Sequence, residues 1–316
     1  MIDVVALGEL LIDFTCTATD ADGYPTMAAH PGGAVANFLA ALAKFGAKTA
    51  LIGKVGTDTF GKLLTGTLQQ AGISTKGLIC DDSVFTTLAF VTLDPTGDRE
   101  FSFARKPGAD TQLRFEEIDL SIIDEAKVFH FGTLSLTDDP ARTATQQAIA
   151  YAKSKGKLIT FDPNLRMPLW HDPQTAKAQM LWGLQQADVV KISDNEVEFL
   201  FDLSPEAGAA HILQTYGVKL VFVTCGGNGC YFSNGTACGM IPALSGLKVA
   251  DTTGAGDIFG GSALWKLLQL NIAPEALTEA ELKDITRFAC AAAGLSTTKP
   301  GGISSVPDYA DVIRAM

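Results

Sequence analysis

The sequence predicts an α/β fold of three layers, with helices on both faces of a mostly parallel central sheet and a small second β-sheet beside it. Three observations carry this. From residue 126 onward, short apolar runs alternate with helical periodicity, the pattern of parallel strands joined by crossover helices. The chain opens on an apolar run, residues 2–7, ended by Gly8, as a buried strand does. Two runs at 86–93 and 99–104 flank Asp94-Pro95-Thr96-Gly97-Asp98, a hairpin signal outside that alternation.

Composition narrows the class. At 316 residues, 47% hydrophobic and 19% charged, the chain can bury a sizeable core. Lys+Arg of 24 against Asp+Glu of 35 gives a net charge of −11. No basic stripe appears, so a nucleic-acid partner is not expected, and an anionic substrate must be held by local amides and a few basic groups. No apolar run reaches membrane-spanning length and no basic n-region opens the sequence, so a soluble, cytoplasmic protein is expected. The six cysteines include no CxxC and read as reduced core residues. The four histidines form neither a metal-spaced motif nor a triad.

In chain order, the first strand leads into Glu9-Leu10-Leu11-Ile12-Asp13. An Asp just past an inner strand faces the crevice where open α/β sheets bind ligands. The local alternative is a turn Asp bonding its own backbone. Residues 14–31 are turn-rich and predict a small strand pair. Gly32-Gly33 then opens an Ala- and Leu-rich helix over 34–45, and 48–55 is the next strand. Gly56-Thr57-Asp58-Thr59-Phe60-Gly61-Lys62-Leu63 nearly spells a P-loop. Leu63 has no hydroxyl for a metal ion, and Asp58 reads as a helix N-cap, so the P-loop is rejected. The 86–104 hairpin joins 14–31 in the small sheet. Strands follow at 127–131, 157–162, 189–192 and 219–224, with helices at 140–154, 174–185, 196–203 and 205–216. Thr224-Cys225-Gly226-Gly227-Asn228-Gly229 ends a strand and begins no helix, which counts against a nicotinamide enzyme.

The strongest stretch is Asp251-Thr252-Thr253-Gly254-Ala255-Gly256-Asp257, followed at once by an apolar helix. A Gly-rich turn opening a helix presents bare N–H groups at the positive end of its dipole, a place for anionic oxygen. Asp257 falls in the first helical turn beside it. A carboxylate there accepts a proton, or merely favours the helix start.

This stretch resembles the second signature of the PfkB family, the ribokinase-like carbohydrate kinases. The first signature is matched by Gly32-Gly33-Ala34-Val35-Ala36-Asn37, Gly46 and Gly56, with one departure at Leu39. Asp162-Pro163-Asn164-Leu165-Arg166, Pro168-Leu169-Trp170 and Gly132-Thr133-Leu134-Ser135-Leu136 resemble the fructokinase branch of that family. The resemblance covers essentially the whole chain. It implies one ribokinase-like domain over 1–316, with 14–31 and 86–110 inserted as a small β lid that is often a dimer contact. It implies ATP-dependent phosphorylation of D-fructose to fructose 6-phosphate. The alternatives are 2-keto-3-deoxygluconate or ribose phosphorylation, or a sugar-binding regulator without catalysis.

The residue roles that the resemblance implies are these. Asp257 is the catalytic base, and Gly254, Ala255 and Gly256 hold the transferring phosphoryl group. Asp13, Gly32, Gly33, Asn37, Arg105, Asn164 and Arg166 meet the sugar. Lys191, Asn195, Thr224, Gly226, Gly229 and Cys290 meet the nucleotide, Cys290 standing where relatives often carry Asn or His. Asn195 and Glu198 form the family's Asn-x-x-Glu, with Glu198 holding Mg²⁺ through water. Asp251, with carbonyls near Thr253, Ser296, Lys299 and Gly301 and with Ser305 close by, holds a monovalent cation, K⁺; a solvated helix-end turn with Lys299 near Asp251 is the competing reading.

Overall fold

The computed structural model describes residues 1–93 and 99–316. Its strands are β1 (Ile2–Leu7), β2 (Leu11–Thr19), β3 (Pro25–Gly32), β4 (Thr49–Gly56), β5 (Ile73–Asp81), β6 (Leu88–Leu93), β7 (Arg99–Ala104), β8 (Ala126–Gly132), β9 (Leu158–Asp162), β10 (Val189–Ser193), β11 (Leu220–Thr224), β12 (Cys230–Ser233) and β13 (Cys238–Ile241). Its α-helices are α1 (Ala34–Lys44), α2 (Thr59–Gln70), α3 (Leu120–Glu125), α4 (Ala141–Ser154), α5 (Pro173–Gln186), α6 (Asp194–Phe201), α7 (Pro205–Tyr216), α8 (Ala255–Leu270), α9 (Glu279–Ser296) and α10 (Tyr309–Ala315).

The large sheet runs β13-β12-β11-β10-β9-β8-β1-β4-β5, parallel from β11 to β5, with β12 and β13 antiparallel at one edge. Alternation along a strand sends successive side chains to opposite faces. In β1, Val4 and Ala6 enter the core layer with α1, α8 and α9, while Val5 and Leu7 enter the layer with α4, α5 and α7. Both faces are covered, which is why the inner strands read as near-continuous apolar runs. The second sheet runs β3-β2-β6-β7. The hairpin expected over 86–104 is present as β6 and β7; the connecting residues 94–98 lie outside the described residues.

Two expectations need correction. Strand β5 was missed: Ile73–Asp81 alternates weakly, with a buried face at Ile73 and Gly77 only, because it is the sheet's edge. Asp13 is not in a turn after β1. It is the third residue of β2, paired opposite His30 in the small sheet. Helix α9 ends at Ser296, where side-chain hydroxyls of Ser296, Thr297 and Thr298 bond back to carbonyls one turn earlier.

The packing of α1 on α8 positions the site. A Cβ at Gly261 would fall 2.3 Å from the Phe38 carbonyl oxygen, so only glycine permits this close approach. It brings the first turns of both helices to one place, outside the C-terminal ends of the parallel strands.

Candidate active site

Two adjoining cavities open at those strand ends. One, of about 970 Å³, is lined by Glu9, Asp13, Gly33, Asn37, Asn164, Arg166, Glu196, Gly254 and Asp257, with Leu11 and Phe103 from the small sheet. The other, of about 530 Å³, is lined by Asp194, Thr224, Gly226, Gly229, Cys290 and apolar residues including Leu244, Leu247 and Phe259. They share a wall made of Lys191, Ser193, Asn195, Thr252 and Gly256. The first is mostly polar in its named groups, the second more apolar, as suits a hydroxylated ligand beside a flat aromatic one.

Asp257 lines the first cavity, next to Gly256 on the shared wall. Gly254 caps α8 in the left-handed conformation, φ 74°, which turns the chain into the helix and places Asp257 in the first turn. The Ala255 N–H donates to the Thr252 carbonyl at 3.3 Å. Among the described residues those of Gly256 and Asp257 donate to none, so the open amides of the turn are not the full Gly254–Gly256 set. Asp257 is buried, and its Oδ2 accepts from Asn37 Nδ2 at 2.9 Å. Burial pushes its carboxyl above the usual range; the charge of Lys191, the Asn37 bond and Arg166 pull the other way. Among the described residues Asn37 Oδ1 has no hydrogen-bond partner; it is buried against Gly302, where a Cβ would fall 2.1 Å from it.

The acceptor-side residues fall as follows. Gly32 ends β3 against Asp13: a Cβ there would meet Asp13 Oδ2 at 2.1 Å. Gly33, φ 118°, leads into α1, whose first amide, Ala34 N, donates to Glu9 Oε1 at 2.6 Å. Asn164 is held in the left-handed region, φ 49°, an uncommon state for a side-chain residue that recurs at ligand sites. The next amide, Leu165 N, donates to Glu196 Oε1 at 2.7 Å.

Arg105 is not a solvated charge and does not line the cleft. It is buried: Nε and Nη2 bind Asp110 Oδ2 at 2.9 and 2.7 Å, Nη1 donates to Thr137, and Nη2 donates to the Leu134 carbonyl. A desolvated guanidinium needs such a full set of acceptors. It ties the end of β7 to the loop after β8.

Glu198 also misses the cleft. It is exposed, whereas Glu196 is buried and lines the wall. Helix geometry explains this: Ser193 is the N-cap of α6, and a residue at the third helical position folds back over the helix start, where Glu196 Oε2 accepts from Ser193 N at 2.8 Å. Two residues further on, Glu198 is rotated about 200° away. The signal was legible as the Ser-x-x-Glu capping box.

Asp251 ties two turns together. Its Oδ1 accepts from Thr253 N and Oγ1 at 2.9 and 2.7 Å, and its Oδ2 accepts from Gly301 N at 2.9 Å. Ala250 N and Asp251 N donate to the Thr297 carbonyl. Ser305 Oγ donates to the Gly302 carbonyl, and the Ser296 carbonyl accepts from Lys299 N. Among the described residues no hydrogen bond ends on the carbonyls of Lys299 or Gly301. The 251–254 turn and the 296–305 turn therefore abut, with Lys299 making no ion pair to Asp251.

Sequence reasoning gave no role to Glu9 or Glu196, and read Asp162 only as part of the polar 162–166 motif. Glu9 is buried at the cleft, where desolvation lifts its carboxyl to about 7. Asp162 is buried beside Lys191.

Residues 1–309 match the model of the pfkB family carbohydrate kinases. The chain is 40% identical to fructokinase-2 of Solanum lycopersicum over 316 residues, 99% of this chain and 95% of that one. A fructokinase from Xylella fastidiosa with bound ATP superimposes with a TM-score of 0.90 at 29% identity, covering 100% of this chain and 98% of the other. A fructokinase double mutant from Vibrio cholerae, in a form with fructose, ADP and potassium ion bound, gives a TM-score of 0.88 at 30% identity, over 99% of this chain and 98% of the other.

Proposed function

The chain belongs to the pfkB family of carbohydrate kinases, and from that membership we infer that it transfers the terminal phosphoryl group of ATP to D-fructose, giving D-fructose 6-phosphate. The observation that carries the reading is the place of Asp257: buried in the first turn of α8, lining the acceptor cavity directly after Gly256, which lies on the wall shared with the donor cavity.

Phosphoryl transfer asks the protein mainly for positioning and charge stabilisation. Asp13, Asn37, Asn164 and Arg166 hold the sugar, with Gly32 and Gly33 keeping the wall close. Asp257 accepts the proton of the primary hydroxyl. The amides of Gly256 and Asp257, at the positive end of α8, take up charge on the transferring group. Lys191, Asn195, Thr224, Gly226, Gly229 and Cys290 form the nucleotide side. The small sheet acts as a lid, bringing Leu11 and Phe103 over the acceptor.

Mg²⁺ would neutralise the nucleotide phosphates, and Glu196 is the carboxylate placed to hold it through water. The donor set around Asp251 fits K⁺: one carboxylate and the carbonyls of Lys299 and Gly301 make a hard oxygen site against the 253–256 turn. When bound, that ion would supply fixed positive charge behind the anion hole.

ADP release measured with Mg²⁺ and ATP across a panel of sugars tests the reading. Fructose should give the highest kcat/KM. A clear preference for ribose or 2-keto-3-deoxygluconate would overturn it.

A further inference from the structure

The Lys191 side chain, 11% exposed, lies on the wall shared by the two cavities, beside buried Asp162. The two sit side by side at the ends of neighbouring parallel strands: β10 and β9 pair Val189 with Thr160 and Val190 with Phe161, so Lys191 comes next to Asp162. The ammonium contacts both carboxylate oxygens, at 3.0 and 3.3 Å. Among the described residues this is its only ion pair. Glu196 and Asp257 lie close enough to act on it by charge but form none. Asp162 lines neither cavity. With Lys191 it lines a small, mainly apolar hollow walled by Phe38, His130, Phe161 and Leu264, where His130 is kept neutral by burial. On its other side the ammonium presses on the anion-binding turn: a Cβ at Gly256 would fall 2.9 Å from Nζ.

A buried lysine on a flexible stem seeks the carboxylates within reach. Without Asp162 those are Asp257 and Glu196. Pairing with Asp257 would weaken the proton acceptor and occupy the oxygens that a substrate hydroxyl must approach. We propose that Asp162 is a positioning residue for phosphoryl transfer, holding the Lys191 ammonium beside Gly256 and off Asp257. The proposal rests on Asp257 being the proton acceptor.

Asp162→Asn and Lys191→Met, made singly and together, test it. Asp162→Asn should lower kcat by about tenfold or more, while the fructose dissociation constant measured without nucleotide stays within about threefold. In the Lys191→Met background, adding Asp162→Asn should change kcat by less than about twofold, because its effect runs through the lysine. The double variant removes both buried charges, so it keeps the comparison open even if Asp162→Asn alone fails to fold. Wild-type kcat in Asp162→Asn, or a further fall in the Lys191→Met background like that in the wild type, overturns the proposal. Asp257→Asn separates the two assignments. If it stays fully active, the base is wrong; if it is inactive while Asp162 and Lys191 act independently, only the positioning role falls.

Discussion

Asn37 Nδ2 donates to Asp257 Oδ2 at 2.9 Å, joining the first turns of two helices 220 residues apart in sequence. The bond orients one carboxylate oxygen of Asp257, a residue that lines the cleft. Replacing Asp257 by Asn keeps the shape and removes the proton acceptor. General-base catalysis is worth about 10²–10⁴-fold, so kcat should fall by that much with fructose binding largely kept. Near wild-type kcat would remove Asp257 from the chemistry.

The pH dependence follows from the same residue. Burial raises the Asp257 pKa above its ordinary 3.8. The ionised form is the acceptor, so activity should be full at high pH and fall as pH drops through the raised pKa. The acid limb of kcat should therefore lie above the ordinary carboxylate range. A rate that stays flat down to about pH 4 would contradict this.

Glu9 links pH to stability instead. Its folded-state pKa is raised from 4.5 to about 7 by desolvation, so the protonated form favours the fold. That contribution is fully present below 4.5 and is lost as pH rises through about 7. Glu9→Gln keeps an oxygen for the Ala34 amide without the charge. Its Tm relative to wild type should be more favourable at pH 8 than at pH 5, by differential scanning fluorimetry. A difference independent of pH would mean that Glu9 does not titrate between the two.

Arg105 carries a stability prediction where the sequence suggested a sugar contact. Arg105→Ala leaves the buried Asp110 carboxylate without its partner, which costs about 3–5 kcal/mol. Urea unfolding should show the loss. An unchanged midpoint together with a raised KM for fructose alone would restore the role of sugar ligand.

The cation site is tested at Asp251. Activity should rise when K⁺ replaces tetramethylammonium at constant ionic strength, and Asp251→Ala should abolish that response. A rate indifferent to K⁺ after thorough desalting would leave the abutting turns as structure only.

The sequence by itself determined the layered architecture, because parallel strands covered on both faces must be apolar throughout and their crossover helices must be periodic. It also determined the Gly turn and helix start at residues 254–257 with a carboxylate in the first turn, since these are local features read within one turn of chain. Only the tertiary structure decided which charged residues face the cleft. Glu196 and Glu198 differ by two positions in sequence, yet helix rotation buries one at the wall and exposes the other. Arg105 and Asp162 are likewise ordinary polar residues in sequence; their roles come from partners, Asp110 and Lys191, that only packing brings within reach and that desolvation makes obligatory.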